Sequence, residues 1–229
     1  MCYHKSSPKS ERLEEYVKGY EIAVPKYKSY YHVSGFAHPQ MPILTMDEPD
    51  KVKTSMWGLV PIFARDRKDA QGWANKMLNA TSEKMDSTYK PYFKSKRCLI
   101  FVDGFYEWQW LDAAGKQKVP YFIHREDNLP FTLGGIYNEW GDEDTGELFH
   151  TYSVITTPAN ELMGTIHNNK KRMPAIIDEK DWEQWLDPKQ QPQDLLNPFR
   201  EGFLFAHEIS KNITKKGVDT NVPETQAAV

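Results

Sequence analysis

The stretch RCLIFVDGFYEWQW, residues 97–110, indicates the fold class. Its first half is an apolar run typical of a buried strand, and its second half alternates aromatic with polar residues, as a strand with one covered face does. Three more β-rich runs follow, VPYFIHRED, PFTLGGIYNEW and FHTYSVITTPAN, separated by the polar turns DAAGKQ and GDEDTGE. Runs at this spacing predict an antiparallel meander.

The flanking sequence adds a few helices and shorter strands. Helical spacing in ERLEEYVKGY and in DEKDWEQWLD predicts two short helices, and TPANELMGTIHN indicates the end of a strand followed by a helix. KTSMWGLVPIFARD predicts a strand ending at Pro61, and RMPAIID and GFLFAHEIS predict two more strands. We therefore expect an α+β fold, a mostly antiparallel sheet partly closed into a barrel with peripheral helices, as one domain over residues 1–229 with a polar tail after about residue 210.

Composition is that of an ordinary folded protein. The 229 residues are 39% hydrophobic, and 29 basic against 32 acidic side chains give a net charge of −3, which argues against coating nucleic acid through bulk charge. No apolar run is long enough to span a membrane and the first residues lack the apolar core of a secretory signal, so we expect a cytoplasmic protein without membrane association. In that compartment Cys2 and Cys98 are not expected to form a disulfide.

Standard cofactor motifs are missing from the sequence. It contains no Walker phosphate loop, no glycine-rich dinucleotide fingerprint, no zinc-type spacing of Cys and His, and no nucleophile elbow. Neither a metal nor a nucleotide cofactor is expected.

The chain opens MCYHKSS, with one of its two cysteines at position 2. Removal of Met1 would leave Cys2 with a free amine beside its thiol. Such a 1,2-aminothiol condenses with an aldehyde to an imine and then closes a durable thiazolidine ring, and both groups have ordinary pKa values of about 8 to 8.5, close to neutrality. The alternative is an incidental cysteine on a frayed terminus.

Three polar residues interrupt apolar patterns. Glu107 lies between two aromatic residues in the strand-like 104–110, where burial would raise its pKa into the range of a general acid or base; it could also lie on the solvated face of an edge strand. His167 precedes a polar turn and could transfer protons or be structural. Asn79 could orient an amine or cap a turn.

These features occur together in an order that resembles a known family. Cys2 after Met1, WGLVP at 57–61, LNATSE at 78–83, RCLIFVDGFYEW at 97–108, SVITTPAN at 153–160 and IHNNKKRMPAII at 166–177 resemble the SOS-response-associated peptidase (SRAP) family over roughly residues 1–210. The resemblance implies an α+β domain with a partly closed barrel. It also implies that the protein recognises abasic sites in single-stranded DNA and crosslinks to them, shielding the site in the DNA damage response.

The resemblance also implies roles for individual residues. Cys2 would form the thiazolidine, Asn79 would position its amine, Glu107 would act as acid and base, and His167 would assist proton transfer and reversal. Arg172 would contact phosphate. For the bound strand, stacking surfaces and phosphate contacts are expected from further tryptophans and basic residues, namely Trp57, Trp73, Trp108, Lys84, Lys170 and Lys171. Each of these tryptophans could instead belong to the core. We expect a monomer.

The sequence departs from the family pattern at two places. Tyr3 and His4 follow Cys2 where the family usually has Gly-Arg, and Thr81 replaces an arginine after the Asn-Ala pair. Two expected DNA-contacting arginines are therefore missing. Our hypothesis is that Lys84, His4 or the 170–172 cluster replaces them.

Three functions remain open from the sequence. The first is an abasic-site crosslinking protein with possible lyase character, since an imine permits β-elimination. The second is a peptidase that uses Cys2 as an N-terminal nucleophile. The third is a noncatalytic module that binds single-stranded DNA, in which replacing Cys2 would change nothing.

Overall fold

A computed structural model of the chain describes residues 2–24 and 26–229. The predicted Met1 processing therefore falls outside the described residues. Within these residues the α-helices are α1 Ser10–Tyr16, α2 Arg67–Lys76, α3 Lys90–Ser95, α4 Glu161–Ile166 and α5 Trp182–Leu186. The strands are β1 His4–Ser7, β2 Glu21–Ile22, β3 Tyr30–Ser34, β4 Gln40–Thr45, β5 Glu48–Trp57, β6 Asn79–Thr81, β7 Arg97–Val102, β8 Gly104–Trp110, β9 Lys118–Arg125, β10 Phe131–Gly141, β11 Leu148–Pro158, β12 Arg172–Pro174, β13 Ile176–Ile177 and β14 Leu204–Glu208.

Five strands close into a ring. β4 pairs with β5 and β7, β7 pairs with β10, and β10 pairs with β11, all antiparallel. The ring closes where β11 pairs in parallel with β5, through Thr151 with Met56 and Tyr152 with Trp57. A second sheet has the order β14-β9-β8-β1-β3. The predicted α+β class with a mostly antiparallel barrel is confirmed.

The stretch 97–110 divides between these two sheets. The four expected strand runs, of which this stretch is the first, form two hairpins in different sheets, β8 with β9 and β10 with β11. The antiparallel meander that we predicted is therefore wrong. The chain leaves β7 at Asp103 and enters β8 at Gly104. A side chain at Gly104 would lie 2.5 Å from both the Ile123 carbonyl oxygen and the Phe122 ring, so the close approach of β9 requires glycine.

Strand β5 ends earlier than the sequence indicates. It stops at Trp57 rather than at Pro61, because Gly58 turns the chain with φ of 121°, a conformation that favours glycine. The following residues then connect to α2, whose Asp66 caps the helix by accepting a hydrogen bond from the Asp69 backbone N–H.

Two apolar clusters cover the ring. One joins its inner face to the second sheet and contains Cys2, Trp57, Cys98, Phe105 and Tyr152. The other packs the outer face against α1, α3 and α5. This division places residue 2 inside the molecule, at the junction of the two sheets.

A buried arginine fastens the helices to the ring. Arg97 in β7 is fully buried and donates hydrogen bonds to the carbonyl oxygens of Phe93, Trp185 and Asp187, at 2.6, 2.6 and 2.7 Å. These carbonyls lie in or directly after α3 and α5, where helices leave such acceptors unpaired.

The segment after residue 210, expected to be a polar tail, packs on the second sheet. Asn221 Oδ1 accepts a hydrogen bond from the Tyr31 backbone N–H at 2.8 Å, and Gln226 donates to the Tyr31 carbonyl at 3.1 Å. Ala228 forms a bridge with Ile209. None of the described helices is long and apolar enough to cross a membrane.

Candidate active site

Glu107 and His167 form a buried acid–base pair. Glu107 Oε2 lies 3.9 Å from His167 Nε2, and each residue is only 5% exposed. Strand β8 carries Glu107, and His167 directly follows α4, which Asn160 caps through the Met163 backbone N–H. The sequence left open whether Glu107 faced solvent; the structure buries it.

Burial moves the pKa values of the two groups in opposite directions. It raises the pKa of Glu107 to about 7, so both protonation states are populated near neutral pH. It lowers the pKa of His167 to about 4, so this imidazole is neutral there. His167 Nδ1 lies 2.8 Å from the Arg172 carbonyl oxygen and 3.3 Å from the Arg172 backbone nitrogen, so Arg172 holds the ring by Nδ1 while Nε2 lies on the side of Glu107.

Cys2 lies beside this pair, 1% exposed. β1 runs antiparallel to β8 with His4 opposite Tyr106, so the residues before β1 continue alongside Glu107. Burial raises the pKa of the Cys2 thiol to about 12; the Lys5 charge acts against this rise, and the Glu107 carboxylate adds to it. The thiol therefore stays protonated until the site provides a base or a counter-charge.

Asn79 is placed near the same core. It pairs with Val154 at the start of β6, and the preceding residue, Leu78, belongs to the cluster that contains Cys2. Both amide atoms of Asn79 are buried, and neither has a hydrogen-bond partner among the described residues. Buried amides are usually paired, so this side chain is available to a bound group.

A pocket of about 360 Å³ opens over the acid–base pair. Its lining combines reactive, aromatic and basic side chains: Tyr3, His4, Glu107, Trp108, Trp110, Lys118, His167, Asn169, Lys170 and Thr214. Such a pocket suits an anionic ligand with flat apolar groups. Among residues 2–24 and 26–229, no cluster of His, Cys, Asp or Glu side chains could hold a metal ion.

The predicted stacking tryptophans lie in different environments. Trp57 is fully buried, with the Lys5 Nζ 3.7 Å from its ring centroid and its Nε1–H donating to the Leu78 carbonyl. It belongs to the core, and its assignment as a DNA-stacking residue is at odds with this burial. Trp73 is half-buried on α2 and contacts the exposed Phe63 ring edge-on, away from the residues that line the pocket.

The predicted phosphate contacts also differ from one another. The Arg172 guanidinium donates hydrogen bonds to the Glu83 carboxylate and to the Thr156 carbonyl oxygen, so it is engaged within the protein. The ion pair joins the segment carrying Lys84 to the segment carrying Lys170 and Lys171. All three lysines are exposed, and Lys170 lines the pocket.

Two residues of β1, His4 and Lys5, make contacts near the site that the sequence did not indicate. His4, which replaces the usual arginine, stacks on His32 and lies 2.9 Å from it between Nδ1 and Nε2, and His32 Nδ1 lies 2.7 Å from Thr220 Oγ1. Lys5 is fully buried. The sequence indicated His4 through its departure from the family pattern, whereas it gave no signal for Lys5.

Known proteins resemble this chain in sequence and in structure. A model of the family SOS response associated peptidase (SRAP) matches residues 1–216. The chain belongs to the SRAP family. The family that the motifs resembled is therefore confirmed.

Two relatives and a solved structure are similar to this SRAP chain over most of its length. The abasic site processing protein YoqW of Bacillus subtilis (strain 168) is 34% identical over 205 residues, 85% of either chain. The abasic site processing protein HMCES of Gallus gallus is 33% identical over 232 residues, covering 90% of this chain and 64% of HMCES. A crystal structure of a Bacteroides thetaiotaomicron protein superposes over the whole of both chains with a TM-score of 0.89 and 33% identity.

Proposed function

We propose that this SRAP chain binds single-stranded DNA at abasic sites and forms a covalent thiazolidine between Cys2 and the ring-opened sugar aldehyde. The observation that carries the proposal is the buried Glu107–His167 pair beside residue 2, which lines a pocket together with aromatic and basic side chains. The similarity to relatives named abasic site processing proteins supports the choice of substrate.

The reaction needs the free amine of Cys2, and hence a chain from which Met1 has been removed. The amine adds to the aldehyde carbon of the open sugar, and loss of one water gives an imine. The thiol proton then leaves, sulfur forms a bond to the imine carbon, and the C=N electron pair moves to nitrogen, which takes up a proton. The product equals protein plus DNA minus one water.

Glu107 suits the proton transfers of both steps. With a pKa of about 7 it can donate a proton to the departing hydroxyl and accept one from the amine or the thiol at the same pH. Neutral His167, held through Nδ1, offers Nε2 as an acceptor on the same side. The unpaired amide of Asn79 provides a hydrogen bond that would hold the amine or the sugar.

The pocket walls account for binding of the strand. Lys118 and Lys170 line it and carry the positive charge that phosphates require, and Trp108 and Trp110 provide flat surfaces for the neighbouring bases. Lys84 and Lys171 extend the positive charge beyond the pocket. These exposed lysines take the place of the family arginines that the chain lacks.

Intact mass spectrometry tests the proposal. Purified protein is incubated with a single-stranded oligonucleotide carrying one abasic site, beside the variants Cys2→Ala and Glu107→Gln and an oligonucleotide without the lesion. We expect protein lacking Met1 and an adduct at the summed mass minus one water, absent in Cys2→Ala and at least about a hundredfold slower in Glu107→Gln. Protein that lacks Met1 but forms no adduct would refute it, and unchanged binding by Cys2→Ala would then favour a noncatalytic module.

A further inference from the structure

Lys5 is in an unusual position for a lysine. It is fully buried in β1 and its side chain extends into the inner face of the ring, where Nζ donates a hydrogen bond to Tyr152 Oη at 3.0 Å. Nζ also lies 3.7 Å from the centroid of the Trp57 ring and 4.9 Å from that of Tyr152. Lysines are rarely fully buried unless they are paired with an acid.

Among the described residues Lys5 forms no ion pair with an Asp or Glu, and its contacts are a phenol and two aromatic faces. Cation–π contacts offset part of the cost of burying a charge, but an unpaired buried ammonium remains costly. The arrangement lacks an anion.

The acidic groups whose charge changes the pKa of Lys5 are the thiols of Cys2 and Cys98. Cys2 lies three residues away and Cys98 is on β7, and both belong to the cluster that contains Trp57 and Tyr152. Burial lowers the pKa of Lys5 to about 7, and negative charge on either thiol raises it again. The Lys5 charge in turn lowers the pKa of Cys2, so a thiolate and this ammonium stabilise each other.

We propose that Lys5 is a positioning residue whose ammonium stabilises the Cys2 thiolate as it closes the thiazolidine ring, a role that rests on the proposed function above. Lys5 keeps its three protons and supplies only charge. The thiol proton leaves to the Glu107 carboxylate or to water. The thiolate then forms the C–S bond while the C=N pair moves to nitrogen, which is protonated. Imine formation involves the amine alone and does not need this charge.

The first measurement examines the thiol without DNA. In a Cys98→Ala background, where Cys2 is the one remaining thiol, the rate of alkylation by iodoacetamide is measured from pH 6 to 9.5. Lys5→Met should alkylate about threefold to tenfold more slowly at a given pH, because fewer thiolates form. Lys9→Met removes the same charge from an exposed position in the same segment and should match the background. Lys5→Arg should restore part of the rate.

Circular dichroism identifies unfolded variants. Met has nearly the length of Lys and removes a buried charge, so Lys5→Met should be no less stable than the background. Lys5→Gln provides a second neutral side chain should the Met variant not fold. Equal alkylation rates in the neutral variants and in Lys9→Met across the whole pH range would overturn the proposal.

The second measurement separates the two chemical steps. Sodium cyanoborohydride reduces an imine but not a thiazolidine, so adding it at intervals to a reaction with the abasic oligonucleotide counts both species. Lys5→Met should form the imine at the background rate but accumulate it at least about threefold, because ring closure is slowed. Unchanged partition would overturn the role of Lys5. A background protein that gives neither species would refute the proposed function instead, and alkylation would still decide whether Lys5 acts on the thiol.

Discussion

Glu107→Gln should make the folded protein more stable at neutral and alkaline pH while stopping the proposed reaction. Glu107 is 5% exposed, and burial raises its pKa from 4.5 to about 7. Between these values the folded state holds a proton that the unfolded state has released, so the free energy of unfolding falls as pH rises. A shift of this size corresponds to about 3 kcal/mol, present below pH 4.5 and lost above pH 7.

Urea unfolding followed by tryptophan fluorescence measures this effect at half-unit steps from pH 4.5 to 8.5. Glutamine has the shape of the protonated carboxyl but does not titrate. The difference in unfolding free energy between Glu107→Gln and the unmodified protein should therefore grow by about 3 kcal/mol across that range. Histidines with depressed pKa values change both proteins alike and cancel. A difference that stays constant with pH would show that Glu107 titrates normally, and the acid–base reasoning would fail.

Three further outcomes follow from the described contacts. Burial lowers the pKa of His4 and of His32 from the ordinary value of 6.5 to about 4, so the folded protein should lose stability as pH falls from 6.5 to 4. His32→Asn should reduce this loss in thermal melts. An unchanged pH profile in that variant would contradict the buried neutral pair. Arg97→Met should cost about 3 to 5 kcal/mol in urea unfolding because it strands buried carbonyl groups, and a loss below about 1 kcal/mol would contradict that account. Lys170→Ala should lower the affinity for single-stranded DNA and reduce the slope of log affinity against log salt by about 0.7. The control Lys189→Ala, at a position beyond α5, should leave affinity and slope unchanged. Equal slopes in the two variants would show that Lys170 does not contact the DNA.

Local pattern predicted the elements well but not their partners. Alternation over 104–110 indicated a strand that carries Glu107, and the structure has β8 over these residues with Glu107 buried. The same pattern could not show that the chain changes sheets at Asp103. That change depends on how closely β9 approaches Gly104, a contact between distant parts of the chain.

The sequence pointed to residues of the candidate site but not to the side chains that surround them. Cys2, Glu107 and His167 were identified from motifs, and the structure brings them together. The sequence could not decide between a core and a stacking role for Trp57, because an aromatic residue gives the same signal in both places; the structure buries it. Lys5 was missed because a lysine ordinarily indicates an exposed position, and only the fold reveals the aromatic faces that surround it.

The parallel contact between β5 and β11 determines when, during folding, the proposed site can be complete. Ring closure brings residue 57 to residue 152, and the two aromatic side chains at that seam are those that hold the Lys5 ammonium. Such a contact joins parts of the chain that are distant in sequence, so it can form only after the intervening segment has been made and its loop-closure entropy has been overcome. A partly folded chain would have Cys2 but not the aromatic contacts that hold Lys5 beside it. On the ribosome, the proposed site would therefore be incomplete until β11 has been made and has paired with β5.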